Sequence, residues 1–312
     1  MSCYYEPLSL LDKIKYYIKK FYDPRYRKLG TKYRKAPIDI WAFIRAKNEI
    51  KTIETSLNSI IPAIQHGVIG YNKLPDEQDD GTEEFILNFC QKHNGFIPFR
   101  YEYKVYPSGA KEYQNLQDIP EENTLAAYYS AVLKKIPQDV WMMKIDCDHV
   151  FDTEKLEQLR YLPKTDRDII ILSTLDFHYQ NNKAYVLRNT RHNKLCFRSC
   201  GEWLLLKNKD IVFKMKVGHD NKINYDYAYE EMTHTNKSIF SRHSIYRTDL
   251  FNWHFPYIKS SREFQQFTLV PLDNHDISKE ELESLKIPAK FLDNQTVIEI
   301  CKKFNIKKSR HT

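Results

Sequence analysis

The sequence predicts an α/β fold built on a mainly parallel, doubly wound sheet. Three observations predict it. From Ile38 onward, strand patterns alternate with helix patterns. The helical stretches carry apolar residues along one side only, as helices laid on a sheet do. Polar residues that could bind a ligand gather just after the strands, the carboxyl edge where such folds hold ligands.

The elements follow in order. IDIWAFI (38–44) reads as the first strand and NEIKTIETSLNSIIPAI (48–64) as a helix with Ile50, Ile53, Leu57, Ile60, Ile61 and Ile64 on one side. HGVIGYN (66–72) is the second strand. A turn and helix follow over 79–93, with Asp80 or Thr82 as cap and glutamates at the positive N-terminal end. FIPFRYEYKVY (96–106) is the third strand and 123–136 a helix. VWMMKID (140–146) is the fourth strand, TEKLEQLRYL a short helix and DIIILSTLDF (168–177) the fifth strand. The polar stretch 107–122 suits a flexible lid or insertion. Beyond residue 178 periodicity blurs and aromatic and basic residues mix, as suits an acceptor-binding half. The expected organisation is a basic extension over 1–37, a main domain over 38–270 with halves 38–177 and 178–270, and a helical basic tail over 271–312.

Composition bounds the function. A chain of 312 residues buries a full-sized core. Its 22 tyrosines could lie against sugar rings, or serve packing and surface boundaries. The six cysteines (Cys3, Cys90, Cys147, Cys196, Cys200, Cys301) are scattered without zinc-site spacing, so reduced thiols in a cytoplasmic protein are expected. No signal peptide and no membrane-spanning run are expected. The net charge of +7 concentrates at the two ends. Leu10, Leu11, Ile14, Tyr17, Ile18 and Phe21 recur at helical spacing beside lysines, which suits either a basic helix on anionic lipid or a solvated helix packed on the main domain. No nucleic-acid-binding signature accompanies the charge.

The stretch VWMMKIDCDHVF (140–151) carries the chemistry. An apolar strand ends in Asp146 and Asp148, which at i and i+2 would point the same way. Two carboxylates that close call for a cation between them, and a divalent metal holding a nucleotide diphosphate answers. The same letters fit the haloacid-dehalogenase phosphatase pattern D-x-D-x-V, with Asp146 as nucleophile and Ser173–Thr174 as a second motif. However, that nucleophile strand normally comes early, and here a whole βαβαβα region precedes it.

WAFIRAKNE (41–49), LNSIIPAIQHGVIGYN (57–72), DGTEEFILNFC (81–90), WMMKIDCDH (141–149) and LFNWHFPYIKSSR (250–262) closely resemble the bacterial β-1,4-N-acetylgalactosaminyltransferases of glycosyltransferase family 12, which extend lipooligosaccharide outer cores. The resemblance covers about residues 38–160 and 250–262, with LPDEQD (74–79) as an apparent insertion. It implies a GT-A (Rossmann-like) domain, a UDP-sugar donor (N-acetylgalactosamine or a related hexose), a galactose-terminated glycolipid acceptor, inversion to a β-1,4 linkage, and Mn²⁺ (or Mg²⁺). It places Asp146 and Asp148 on metal and diphosphate, His254 as a further metal ligand, and Arg45, Glu49 and Asn72 around the nucleotide. Glu202 is the candidate general base, with Asp226, Glu230 and Glu231 as competitors; Trp203, Tyr179 and Trp253 are candidate sugar-stacking residues. Such an enzyme would work in the cytoplasm at the inner membrane face. A non-catalytic glycan- or nucleotide-binding protein on the same fold is the other alternative.

Overall fold

The computed structural model describes residues 34–305 apart from 108–109, 191, 199–203, 221–224, 235–236, 239–243, 259–266, 274–276 and 286, together with 5–7, 10, 11, 14 and 18. The first half builds strands β1 (Tyr5–Pro7), β2 (Ile40–Ala46), β3 (His66–Asn72), β4 (Phe96–Tyr101), β5 (Trp141–Asp146) and β6 (His149–Phe151). Between them lie helices α1 (Ile53–Ile60), α2 (Thr82–Lys92) and α3 (Leu125–Leu133); α4 (Thr153–Leu159) follows. The second half is mostly strand: β7 (Asp168–Gln180), β8 (Lys183–Asn189), β9 (Lys194–Leu195), β10 (Phe197–Arg198), β11 (Leu204–Lys207), β12 (Ile211–Asp220), β13 (Tyr225–His234), β14 (Lys237–Ser238), β15 (Ser244–His254) and β16 (Phe267–Pro271). Helices α5 (Lys279–Leu285) and α6 (Asn294–Lys302) complete it.

The main sheet runs β1-β15-β7-β11-β5-β2-β3-β4. Strands β4, β3, β2 and β5 pair parallel, as do β7 and β15. Short β11 lies antiparallel between β5 and β7 and joins the two parallel blocks. LLLK (204–207) is buried on both faces and too short to show a period, so no local pattern marks it as a strand.

Three apolar clusters hold the layers. One packs α1, α2 and α4 (Ile53, Leu57, Ile60, Phe89, Leu156) on one face of the parallel block. A second packs α3 (Tyr129, Val132, Leu133) on the other face and is capped by Phe213 and Met232 of the β12–β13 ribbon. Each fully buried Ile, Leu or Phe here contributes about 1.5–3 kcal/mol. Gly70 shows how close α3 lies: a Cβ there would sit 2.3 Å from Val132 Cγ2. Thr124 caps α3, its Oγ1 accepting from Ala127 N at 3.2 Å.

The third cluster shows what the tail does. Phe291, Val297, Ile300 and Phe304 bury themselves against Trp253, Phe255, Leu175 and Phe177. Lys303 O accepts from Thr55 Oγ1 at 3.1 Å, and Asn305 N donates to Lys51 O at 2.9 Å, so the tail is stitched back to α1. The stretch 107–122 is also tied down where it is described. It forms short 3₁₀ turns, and buried Tyr113 donates to Tyr106 O at 2.8 Å while accepting from Leu125 N at 3.1 Å. Of the N-terminal extension, the structure describes Tyr5–Pro7 as β1 on the edge of β15, Leu10, Leu11, Ile14 and Ile18 as helical and exposed, and residues 34–37, where Arg34 N donates to Tyr161 O at 2.9 Å.

Candidate active site

Strand β5 ends at Asp146 and the chain turns at Cys147–Asp148 into β6, which runs antiparallel to β15. Asp146 closes the strand and Asp148 lies in the turn, near enough that the Asp148 charge acts on the Asp146 carboxyl.

Asp146 stays on the face of α3. Its register partner on β2 is Arg45, whose guanidinium pairs with Asp146 Oδ1 and stacks 3.9 Å from the centre of the Tyr129 ring. Lys144, two residues earlier on the same face, is buried with its Nζ 5.8 Å from that ring centre. Burial would raise the Asp146 pKa, but Arg45 and Lys144 outweigh it and hold the carboxyl well below the usual range. The Arg45 side chain is 8% exposed and that of Asp146 23%, so the carboxylate is the end that reaches the surface.

Asp148 belongs to a second group. With His149 and His254 it offers one carboxylate oxygen and two imidazole nitrogens within 4.8 Å of one another, all buried, the one such group among the described residues. His254 Nε2 lies 3.6 Å from Asp148 Oδ2, and His149 Nε2 lies 3.8 Å from Asp148 Oδ1. The two rings stand 4.2 Å apart. Phe255 N donates to Asp148 O at 3.0 Å, fixing the turn to the end of β15. Asp176 on β7 accepts from His254 Nδ1 at 2.7 Å, and Arg198 on β10 pairs with the other Asp176 oxygen. Burial would lower the His254 pKa, but Asp176 and Asp148 outweigh it and push it up to about 9. Burial and neighbouring His254 push His149 down to about 3. A carboxylate and two imidazoles form a donor set that fits a first-row transition ion such as Mn²⁺ better than Mg²⁺, which favours all-oxygen shells.

The other expected site residues divide. Buried Glu49 opens α1: its carbonyl accepts from Thr52 N and Ile53 N, its N–H donates to Thr82 Oγ1 at 2.7 Å, and its carboxylate lies 3.5 Å from Thr52 Oγ1. Asn72 ends β3 with its amide engaged. Nδ2 donates to Tyr101 O and Tyr103 O at 3.0 and 2.8 Å, and Oδ1 accepts from Lys47 Nζ at 3.1 Å. Trp253 stacks on Phe291 at 4.3 Å and donates to its carbonyl, so it is a core residue and not a sugar platform. Tyr179 Oη donates to Asn182 Oδ1 at 3.1 Å at the β7–β8 hairpin end. Glu202 and Trp203 lie outside the described residues, as does the Asp226 side chain. Glu230 and Glu231 sit on the β12–β13 ribbon, where Glu231 faces Lys216 at 3.9 Å.

The phosphatase reading fails on two counts. Asp146 is committed to Arg45, and Ser173 and Thr174 are wholly buried in the middle of β7 instead of ending it. Three residues of the site went unread in the sequence: His149, Asp176 and Arg198. His149 directly follows D-x-D and carried a visible signal; Asp176 and Arg198 carried none, since only strand pairing brings them to His254.

Among solved structures, the chain resembles S. aureus TarS 1-349 in complex with UDP (12% identity, TM-score 0.32), over 46% of this chain and 38% of that one. The chain thus spans less than half the length of that relative. It also resembles the inositol-1-phosphate CTP transferase of T. maritima (8% identity, TM-score 0.34), over 89% of this chain and 99% of that one. No curated protein matches it. The family model described as "Beta-1,4-N-acetylgalactosaminyltransferase (CgtA)" matches residues 14–305, in agreement with the motifs read from the sequence. Matched over nearly its whole length, the chain belongs to the CgtA family of β-1,4-N-acetylgalactosaminyltransferases.

Proposed function

We propose that the protein is a metal-dependent, inverting glycosyltransferase that moves N-acetylgalactosamine from UDP to the terminal galactose of a lipooligosaccharide acceptor, forming a β-1,4 linkage. The observation that carries this reading is the Asp148–His149–His254 donor group beside the Arg45–Asp146 pair, at the carboxyl edge of the parallel strands, in a chain of this family.

Asp148, His149 and His254 would hold Mn²⁺. When bound, the ion supplies positive charge against the diphosphate of the donor. Asp146, kept ionised by Arg45 and Lys144, accepts a hydrogen bond from a donor hydroxyl. Glu49 and the Lys47–Asn72 contact shape the nucleotide end, with Asn72 acting by orienting Lys47. Glu202 takes the proton of the acceptor hydroxyl as that oxygen bonds to the anomeric carbon. The bond from that carbon to the diphosphate breaks at the same time, its electrons leaving with UDP. The single displacement gives the β-linked product. The basic termini and the exposed Leu10, Leu11, Ile14 and Ile18 would hold the enzyme at the anionic inner leaflet, where glycolipid acceptors are assembled. Among the described residues no helix is long and apolar enough to cross a membrane.

The test is transfer from UDP-N-acetylgalactosamine to a galactose-terminated oligosaccharide, read by mass with Mn²⁺, Mg²⁺ or chelator. Activity with Mn²⁺ that chelator abolishes is expected. Asp148→Ala should lose transfer by about 10²-fold or more while staying folded. Undiminished transfer in that variant, or in chelator, removes the metal role; UDP binding without turnover on any acceptor favours a non-catalytic binder.

A further inference from the structure

The group around His254 is larger than the donor set itself. Strands β6, β15 and β7 place His149, His254 and Asp176 abreast: His254 is the register partner of His149 on one side and of Asp176 on the other. The row is therefore set by backbone pairing. Asp176 is buried and divides its two oxygens, Oδ1 to His254 Nδ1 at 2.7 Å and Oδ2 to the Arg198 guanidinium. Arg198 comes from the next strand over, which β7 aligns by pairing Arg198 with Thr174. With Nδ1 committed to Asp176, the nitrogen left to face Asp148, 3.6 Å away, is Nε2.

We infer that Asp176, held by Arg198, is a positioning residue that fixes the ring orientation and tautomer of His254 so that Nε2 is presented to Asp148. The inference rests on the metal reading of Asp148 and His254 and adds a residue to it. A carboxylate on the far nitrogen of a ligating imidazole locks the tautomer and raises the ring's basicity; losing such a partner weakens metal binding by about 10–100-fold. Arg198 offsets the charge that a buried carboxylate would otherwise carry alone, and its guanidinium, bound to Asp176 Oδ2, also stands 3.2 Å from His254 Nδ1.

The test uses the full-length chain. Mn²⁺ affinity is measured by calorimetry for the wild type, Asp176→Ala and Asp176→Asn. In parallel, ¹⁵N signals of the neutral His254 imidazole are recorded on metal-free protein, with melting curves for each variant. Asp176→Ala should weaken Mn²⁺ by about 10-fold or more, and the bound hydrogen should redistribute from Nδ1 between the two nitrogens. Asp176→Asn keeps an acceptor oxygen but loses its charge; it should retain the Nδ1–H tautomer and weaken Mn²⁺ by less than the alanine variant, about threefold or more. That graded rescue would not arise from a merely structural ion pair. Unchanged tautomer and unchanged affinity in Asp176→Ala overturn the inference. If that variant does not fold, unchanged Mn²⁺ affinity in Asp176→Asn overturns it instead. Absence of Mn²⁺ binding in the wild type, with the tautomer still responding to Asp176, sinks the metal reading alone.

Discussion

At the scale of single residues, opposite electrostatic environments stand side by side. Arg45 and Lys144 hold Asp146 ionised, so Asp146 contributes stability that is complete above the ordinary carboxylate range and is lost as pH falls below that range toward the lowered folded value. Arg45→Met should therefore cost about 1–3 kcal/mol near neutrality and flatten the acid limb of the stability curve, measured by urea unfolding at several pH values. The histidines pull in opposite directions. His254, raised to about 9 from 6.5, contributes stability that is complete below about 6.5 and lost as pH rises through about 9. His149, lowered to about 3, contributes stability that is complete above about 6.5 and lost as pH falls. In chelator their joint contribution should peak near pH 6.5, and His254→Gln should remove the alkaline fall; parallel curves for variant and wild type would contradict this. Of these residues the sequence showed Asp146, Asp148 and His254 and pointed to Arg45, but not that Asp146 pairs with Arg45 while Asp148 lies with His149 and His254. That depends on a two-residue turn after β5, which no periodicity marks.

At the scale of elements, the strands and helices of 38–177 were legible because each is encoded in its own residues. HGVIGYN is a strand over His66–Asn72 as read, and the helices lie within their expected ranges, trimmed at the ends. Gly70 adds a fact about packing: it lets α3 approach β3. Gly70→Ala should destabilise the protein by about 1–3 kcal/mol, because the new methyl meets Val132. In Gly70→Ala/Val132→Ala the effects should be non-additive, the double variant losing less than the sum of the singles in chemical denaturation. The second half was less legible. The alternation in IVFKMKV, with Lys214 and Lys216 outward, marks a strand on inspection, but LLLK does not distinguish strand from helix, and its place between β5 and β7 is a matter of topology.

At the scale of the whole molecule, the tail is part of the structure that supports the site. Helix α6 and Phe291 cover the apolar face of β15 whose other face bears His254, and Lys290 pairs with buried Asp152 ahead of α4. Phe291→Ala should cost about 3–5 kcal/mol in urea unfolding. Deleting 279–312 should expose this cluster and give a chain that binds hydrophobic dyes and no longer transfers sugar. Replacing Lys13, Lys15, Lys19 and Lys20 by glutamine, by contrast, keeps β1 on β15 and should leave transfer to a water-soluble oligosaccharide intact while abolishing sedimentation with anionic vesicles; equal sedimentation of both forms would remove the lipid role of that segment.

The sequence by itself determined the α/β class, the strand that ends in Asp146 and the family, and it named three residues of the candidate site, because periods of two and 3.6 residues and a short motif are local patterns. Only the tertiary structure decided that Asp146 belongs to Arg45, that Asp148 belongs to His149 and His254, and that Asp176 stands behind His254. Those partnerships arise from register between strands distant in the chain, and register is chosen by the packing of the whole sheet, not by any one segment's own residues.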